Sequence, residues 1–120
     1  MTHRTWVKIY CEGWLDGSIR AETPELRGVW VDILCLAGDL DGADGTICLA
    51  PGVGLTDAQI AARLQVDSRT WCRVKKQLVI SGRINVQECN VISITKWKQY
   101  QSEYQRQKPY RAGPRCNLKL

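Results

Sequence analysis

The segment 68–81 holds the most informative side chains for chemistry. At about 100° of rotation per residue, a helix over this segment gathers five cationic or hydrogen-bonding side chains on one side and its flank: Arg69, Thr70, Arg73, Lys76 and Gln77. The segment contains no acidic residue. Arginine and glutamine suit bidentate bonds to guanine and adenine edges, and lysine and threonine suit phosphates or bases. We therefore expect this side to contact double-stranded DNA, because an ordinary solvated face would mix charges of both signs.

The opposite side of the same helix is apolar. Trp71, Val74 and Leu78 fall within an arc of about 60°, which predicts that they face a core. Lys75 borders this apolar side, and we expect its long side chain to carry the ammonium group outward to solvent. Ile80 lies on the cationic side, where we expect it to pack against a following hairpin or a partner.

Other site chemistries find little support in the residue types. The single histidine, His3, stands near the start of the chain, where ends usually fray, so a catalytic triad is disfavoured. Zinc motifs built on histidine need more than one such residue. The six cysteines include no CxxC pair, and we expect them to be reduced thiols that mostly fill the core. The sequence thus predicts no enzyme, no cofactor and no metal site.

The acidic run 39–47 has some likeness to a calcium loop. Asp39, Asp41 and Asp44 miss the EF-hand spacing, and Ala50 stands where its twelfth-position glutamate belongs. A polar turn leading into a short strand at 46–49 explains the run without metal. The stretch 51–54 lacks the Gly-Lys-Ser/Thr ending of a phosphate loop and is interpreted as a connector.

The elements before the cationic segment are marked by local signals. Residues 6–10 are β-branched and aromatic and are expected to be extended, with a turn at 16–17. Thr23 suits the N-cap of a helix that starts at Pro24, and an apolar stripe runs from there to a stop at Gly38.

A helix-turn-helix pattern follows. Thr56 and Gln59 have the spacing of a capping box, residues 65–66 make a tight connection, and Asp67 or Ser68 can cap the helix 68–81. Gly82 ends that helix. Residues 83–87 and 91–94 then alternate polar and apolar side chains, as in a short hairpin. This order predicts an α+β fold, a winged helix-turn-helix with a small antiparallel wing and a C-terminal helical extension.

Charge is divided unevenly along the 120 residues, whose formal net charge is +5. Residues 1–60 carry four Lys/Arg and nine Asp/Glu, a balance of −5, whereas residues 61–120 carry thirteen Lys/Arg and three acids, a balance of +10. Such asymmetry indicates that the second half faces a polyanion, with nucleic acid the leading candidate.

The C-terminal run interleaves aromatic residues with cations. Trp97, Tyr100 and Tyr104 have helical spacing, so we expect a helix that docks them on the core and exposes Lys98 and Arg106. We assign residues 1–107 to the DNA-binding domain and residues 108–120 to a basic, flexible tail. That tail is either an arm for phosphates, through Lys108 and Arg111, or simply a disordered end.

Four segments resemble a known family. Residues 6–10, 16–20, 23–30 and especially 97–111 are similar to the N-terminal domains of phage replisome organisers and, more distantly, to DnaD-like replication-initiation proteins. The resemblance covers roughly residues 6–111. It implies a winged helix that binds origin DNA of a phage or prophage and helps recruit the replicative helicase or its loader.

The expected function is recognition of double-stranded DNA in phage replication initiation. Four residues would enter the major groove: Arg69, Thr70, Arg73 and Gln77. Six cations would contact phosphates: Lys76, Arg83, Lys98, Arg106, Lys108 and Arg111. A transcriptional regulator with the same fold and an interaction adaptor that never touches DNA stay open as alternatives, as does a homodimer. No apolar stretch approaches the ~20 residues of a membrane span, and no signal peptide is recognised, so we expect the cytoplasm of a bacterial host.

Overall fold

A computed structural model describes residues 4–101 of the chain. Within this range the helices and strands follow one another along the chain as α1 (Cys11–Asp16), α2 (Pro24–Asp41), β1 (Thr46–Ala50), β2 (Val53–Gly54), α3 (Asp57–Leu64), α4 (Ser68–Ile80), β3 (Ile84–Val86), β4 (Ile92–Ile94) and α5 (Trp97–Gln101). Two short 3-10 turns, Ser18–Ala21 and Glu88–Asn90, complete the order. The predicted domain boundary at residue 107 lies outside the described residues.

The fold is α+β, as predicted, and is compatible with a winged helix. Three helices, α2 to α4, precede the hairpin of β3 and β4, and these two strands pair antiparallel, as expected. The hairpin does not stand alone, however. Thr46 and Ile47 of β1 pair with β4, and β2 pairs with β1, so the predicted hairpin is half of a four-stranded antiparallel sheet in the order β2-β1-β4-β3. The stretch 51–54, interpreted as a connector, therefore includes a strand.

Helix α2 begins where the sequence predicts but ends later. Thr23 is its N-cap and accepts a 3.2 Å hydrogen bond from the Leu26 amide, with Pro24 in the first helical position. The predicted stop at Gly38 is wrong, because the helix continues to Asp41. Gly38 is a contact point instead: a Cβ built there would lie 2.7 Å from the Val7 side chain. The glycine lets the N-terminal segment cross the helix closely.

The core lies between α2, α3, α4 and the sheet. Trp71, Val74 and Leu78 are buried in it, which confirms the predicted apolar side of α4. Trp97 is also buried, and its indole N–H donates a 2.9 Å hydrogen bond to the Gly42 carbonyl. Tyr100 is half-buried against the core, so the expected docking is confirmed for these two residues, whereas Tyr104 lies outside the described residues. The five described cysteines are free thiols, as expected, but the expectation that most of them fill the core is wrong, because only Cys48 of these five is buried.

The N-terminal segment is tied to α5. Its amide at Lys8 donates to Gln101 Oε1 at 2.8 Å, and Gln101 Nε2 donates back to the Lys8 carbonyl at 3.2 Å. Residues 6–10 precede α1 without forming a helix or strand. Helix α1 was not predicted, because it is a short surface turn with no buried residue and so carries no apolar periodicity.

The acidic run 39–47 is a turn only in its middle, because α2 continues to Asp41, residues 42–45 form the turn and β1 begins at Thr46. Asp41 Oδ1 accepts a 3.3 Å hydrogen bond from the Asp44 amide, and the predicted strand follows as β1. Among residues 4–101 no group of three or more histidine, cysteine or acidic side chains is placed to hold a metal ion. None of the helices in this range has the length and apolar character to cross a membrane.

Candidate nucleic-acid interface

Helix α4 is fixed at both ends by local chemistry. Asp67 is its N-cap and accepts a 2.9 Å hydrogen bond from the Thr70 amide. Hydrogen bonds from the Thr70 side chain and backbone lower the pKa of Asp67, so this cap is ionised at neutral pH. At the other end Gly82 adopts a left-handed φ of +76°, which glycine takes at no steric cost. The helix therefore presents a fixed register of side chains.

The outward face of α4 keeps the arrangement that the sequence predicts. Four of its predicted DNA-contacting side chains are exposed, and Thr70 is half-buried; the exposed ones are Arg69, Arg73, Lys76 and Gln77. Within residues 4–101, Arg69 and Lys76 form no ion pair. We call these five residues the outward face.

An acid from another helix lies beside this face. Glu25, in the first turn of α2, approaches Arg73 with a Glu25 Oε1 to Arg73 Nη2 distance of 2.6 Å. This bond and the charge of Glu25 raise the pKa of Arg73. The helix itself contains no acidic residue, but Glu25 of α2 adds one to the surface around it. The two residues are 48 positions apart, so helical periodicity could not have revealed their contact.

The N-terminal end of α2 and the outward face border one groove. Its described lining includes two acids, a hydroxyl, two cations and an amide: Glu22, Glu25, Thr23, Arg73, Lys76 and Gln77. Three of the residues predicted to contact DNA thus lie together along this groove. Arg69 and Thr70 lie outside its lining, toward the N-terminal end of α4.

Arg83 stands apart from the outward face. Its side chain is 11% exposed, and its guanidinium donates to Glu22 Oε2 at 3.2 Å and to Ser18 Oγ at 2.9 Å. It therefore ties the start of β3 to the segment before α2. Lys98 is exposed on α5, 3.5 Å from Asp44 Oδ1. The remaining predicted phosphate contacts lie outside the described residues: Arg106, Lys108 and Arg111.

Lys75 does not extend to solvent, contrary to expectation. Its ammonium group donates to Asp57 Oδ1 at 2.9 Å and to Asn90 Oδ1 at 2.7 Å. The same Asp57 oxygen accepts from Trp71 Nε1 at 3.0 Å and from Asn90 Nδ2 at 3.1 Å. We call Asp57, Trp71, Lys75 and Asn90 the inner cluster. A cation on the apolar side of α4 is accommodated because α3 and the β3–β4 turn supply its partners.

The inner cluster perturbs the titration of its carboxylate. Burial acts to raise the pKa of Asp57, but hydrogen bonds from Lys75, Trp71 and Asn90, together with the Lys75 charge, outweigh it and leave the pKa below the ordinary 3.8. The carboxylate is thus ionised at neutral pH. This cluster links α3, α4 and the β3–β4 turn.

The end of α4 exposes apolar surface. Ile80 is 70% exposed and Val79 is 44% exposed. The expected packing of Ile80 against the hairpin is therefore wrong, since the hairpin leaves most of the side chain in solvent. A partner for Ile80 stays a prediction.

The outward face, the groove and the inner cluster all fall within one matched family region. A family model described as the N-terminal phage replisome organiser matches residues 6–115. No curated protein and no solved structure matches the chain. The match confirms the resemblance drawn from the residues and indicates a role in phage replication initiation. The chain belongs to the family of N-terminal phage replisome organiser domains.

Proposed function

We propose that the protein binds double-stranded DNA during phage replication initiation and that α4 is its recognition helix. One observation carries the proposal: the outward face is exposed while Trp71, Val74 and Leu78 anchor the other side of the same helix in the core. A helix held in this way presents its cations in a fixed geometry. Recognition helices of helix-turn-helix proteins enter the major groove with such a face.

Each exposed side chain has a chemical role in this proposal. Arg69 and Thr70 lie in the first turn of α4, the end that reaches base edges in helix-turn-helix proteins. Arg73 suits a guanine edge and Gln77 an adenine edge. Lys76 is a flexible point charge suited to a phosphate. Because Arg83 is occupied by Glu22 and Ser18, we give it a positioning role instead of a phosphate contact.

The basic C-terminal segment extends the proposed interface. Lys98 is exposed and weakly paired, and the cations beyond it in sequence would add phosphate contacts: Arg106, Lys108 and Arg111. Such contacts add affinity without sequence preference. Recruitment of a replicative helicase, which the family resemblance implies, stays a prediction, as does a homodimer.

Salt dependence tests the proposal. Neutralising about five phosphates, one for each of the proposed contacts of Lys76, Lys98, Arg106, Lys108 and Arg111, gives a slope of about −4.5 in log affinity against log salt, or an affinity loss of about 500-fold between 50 and 200 mM salt. We expect this from fluorescence anisotropy with a labelled mixed-sequence duplex of ~20 base pairs, two helical turns. Failure to bind, or a slope near zero, would contradict the proposal and favour the adaptor alternative.

Removal of one cation from the outward face tests whether that face makes the phosphate contacts measured in the same salt titration. Lys76→Gln should weaken binding to all sequences alike and reduce the salt slope by about 1, the loss of one phosphate contact. The matched control is Arg63→Gln, which removes an exposed cation that pairs with Asp39 at 2.8 Å and lies outside the groove. An equal change in slope for both variants would show that net charge, and not the outward face, governs binding.

A further inference from the structure

The Glu25–Arg73 pair is reachable by a ligand. Both side chains are about half exposed, 50% for Glu25 and 57% for Arg73, and one hydrogen bond joins them. Exposed pairs of this kind contribute little to folding. Glu25 also sits in the first turn of α2, where any carboxylate is favourable to the helix dipole without touching Arg73. The fold therefore does not depend on this contact.

Glu25 is the acid that a ligand in the groove would meet. The other acid of the lining, Glu22, is 19% exposed and accepts from Arg83. The Thr23 hydroxyl is engaged as the cap of α2. What the groove offers to DNA is thus the Glu25 carboxylate together with Arg73, Lys76 and Gln77.

This combination favours base edges over phosphates. A phosphate that approaches Arg73 must displace Glu25 and remain near its negative charge. A G·C pair removes both penalties: guanine O6 and N7 accept from arginine, and the cytosine N4 amino group donates to a carboxylate. An A·T pair also offers the carboxylate an amino group, adenine N6, but adenine N7 and thymine O4 are single acceptors that lie on either side of that group, so arginine loses the bidentate bond that guanine gives it.

We propose that Glu25 is a specificity-determining residue that acts with Arg73 to select a G·C base pair and to weaken binding to all other duplex DNA. The inference rests on the proposed function and deepens it. Glu25 introduces a repulsive element into a cationic surface, which is how specific binders reject wrong partners. Arg73 without Glu25 would bind phosphates and bases alike.

The test compares four proteins in selection from a randomised duplex pool and in titration of a mixed-sequence duplex. These are the unaltered chain, Glu25→Gln, Arg73→Ala and the control Asp39→Asn, which neutralises the acid of the similarly exposed Arg63 pair. We expect Glu25→Gln to bind the mixed-sequence duplex about 3- to 10-fold more tightly, because a desolvated like-charge contact is removed. Its preference for G·C at one selected position should fall by a similar factor, while Asp39→Asn changes neither measurement.

The double variant Glu25→Gln/Arg73→Ala shows whether the two residues act as a unit. If they do, its loss of G·C preference equals that of Arg73→Ala alone, since coupled residues are not additive. Unchanged affinity and unchanged selection by Glu25→Gln, with binding by the unaltered chain intact, would overturn this inference and leave the proposed function standing. Failure of the unaltered chain to bind any duplex would overturn both.

Discussion

Two cations of α4, Arg73 and Lys75, each form an ion pair with an acid of another helix, and the two pairs differ in burial and in the hydrogen bonds around them. Lys75 and Asp57 meet at 2.9 Å with side chains 18% and 38% exposed, inside a cluster that also holds Trp71 and Asn90. Arg73 and Glu25 meet at 2.6 Å with both side chains about half exposed. The contribution of an ion pair to stability depends on its burial and on the hydrogen bonds around it, and the distance between the charges does not predict that contribution alone. The Lys75–Asp57 pair, which we call the inner pair, supports the fold. The Arg73–Glu25 pair, which we call the outer pair, is available to a ligand.

The side chains of the inner cluster share hydrogen-bond partners, so the loss of one of them affects the others. Asn90 has a left-handed φ of 56°, a conformation that is uncommon outside glycine, and its side chain donates to the Leu55 carbonyl at 2.7 Å as well as to Asp57. Removal of Asp57 would leave Trp71 and Lys75 without their shared acceptor. The outer pair has no such dependants.

The largest expected effect comes from breaking the inner cluster. Asp57→Ala should lower the free energy of unfolding by about 2–4 kcal/mol, because it leaves the part-buried Lys75 ammonium group without its counter-charge and the buried Trp71 indole N–H without its acceptor. Urea unfolding followed by tryptophan fluorescence measures this. The control Arg63→Ala breaks the exposed Arg63–Asp39 pair and should cost no more than about 0.5 kcal/mol. Equal losses for the two variants would contradict the distinction between inner and outer pairs.

Breaking the outer pair should affect DNA and spare the fold. Arg73→Ala is expected to reduce duplex affinity by about 1–3 kcal/mol, the cost of losing one arginine contact to a base. Its urea midpoint should stay close to that of the unaltered chain, since an exposed pair supplies little stability. The opposite result, a lower midpoint with unchanged duplex affinity, would move Arg73 from the interface to the scaffold.

The smallest expected effect is on the pH dependence of the free energy of unfolding, to which the Asp57 carboxylate of the inner pair contributes. The pKa of Asp57 lies below 3.8 in the folded chain, so its contribution to stability is present above pH 3.8 and is lost as the pH falls through the lowered value. Asp57→Asn removes this titration. Urea unfolding at about pH 5 and about pH 3 should therefore show a smaller loss of stability for Asp57→Asn than for the unaltered chain. Identical losses would mean that Asp57 gains nothing from the cluster.

Local signals predicted much of this fold. The Thr23 cap, the Thr56 and Gln59 capping box and the buried side of α4 are all confirmed, because each depends on residues within one or two helical turns. The hairpin of β3 and β4 is confirmed for the same reason, although its pairing with β1 was not predicted.

The failures concern contacts between distant residues. The sequence predicts a helix end at Gly38, whereas in the structure this glycine makes room for the Val7 side chain. Lys75 borders the apolar side of α4 because its ammonium group donates to Asp57 and Asn90, which are distant in sequence. Glu25 beside Arg73 is the same kind of case, because nothing in either segment indicates the other. Sequence periodicity assigns a side chain to a face of its own helix and leaves its partners on other elements undetermined.

Amide chemical shifts in a ¹⁵N-labelled chain test the central claim, that the outward face of α4 receives duplex DNA, most directly. On addition of the mixed-sequence duplex, the largest shifts are expected at Arg69, Arg73 and Gln77 and in the first turn of α2, which borders the same groove. The exposed β1–β2 hairpin, marked by Leu49 and Val53, should remain unchanged. Shifts concentrated on that hairpin, with α4 unaffected, would contradict the account.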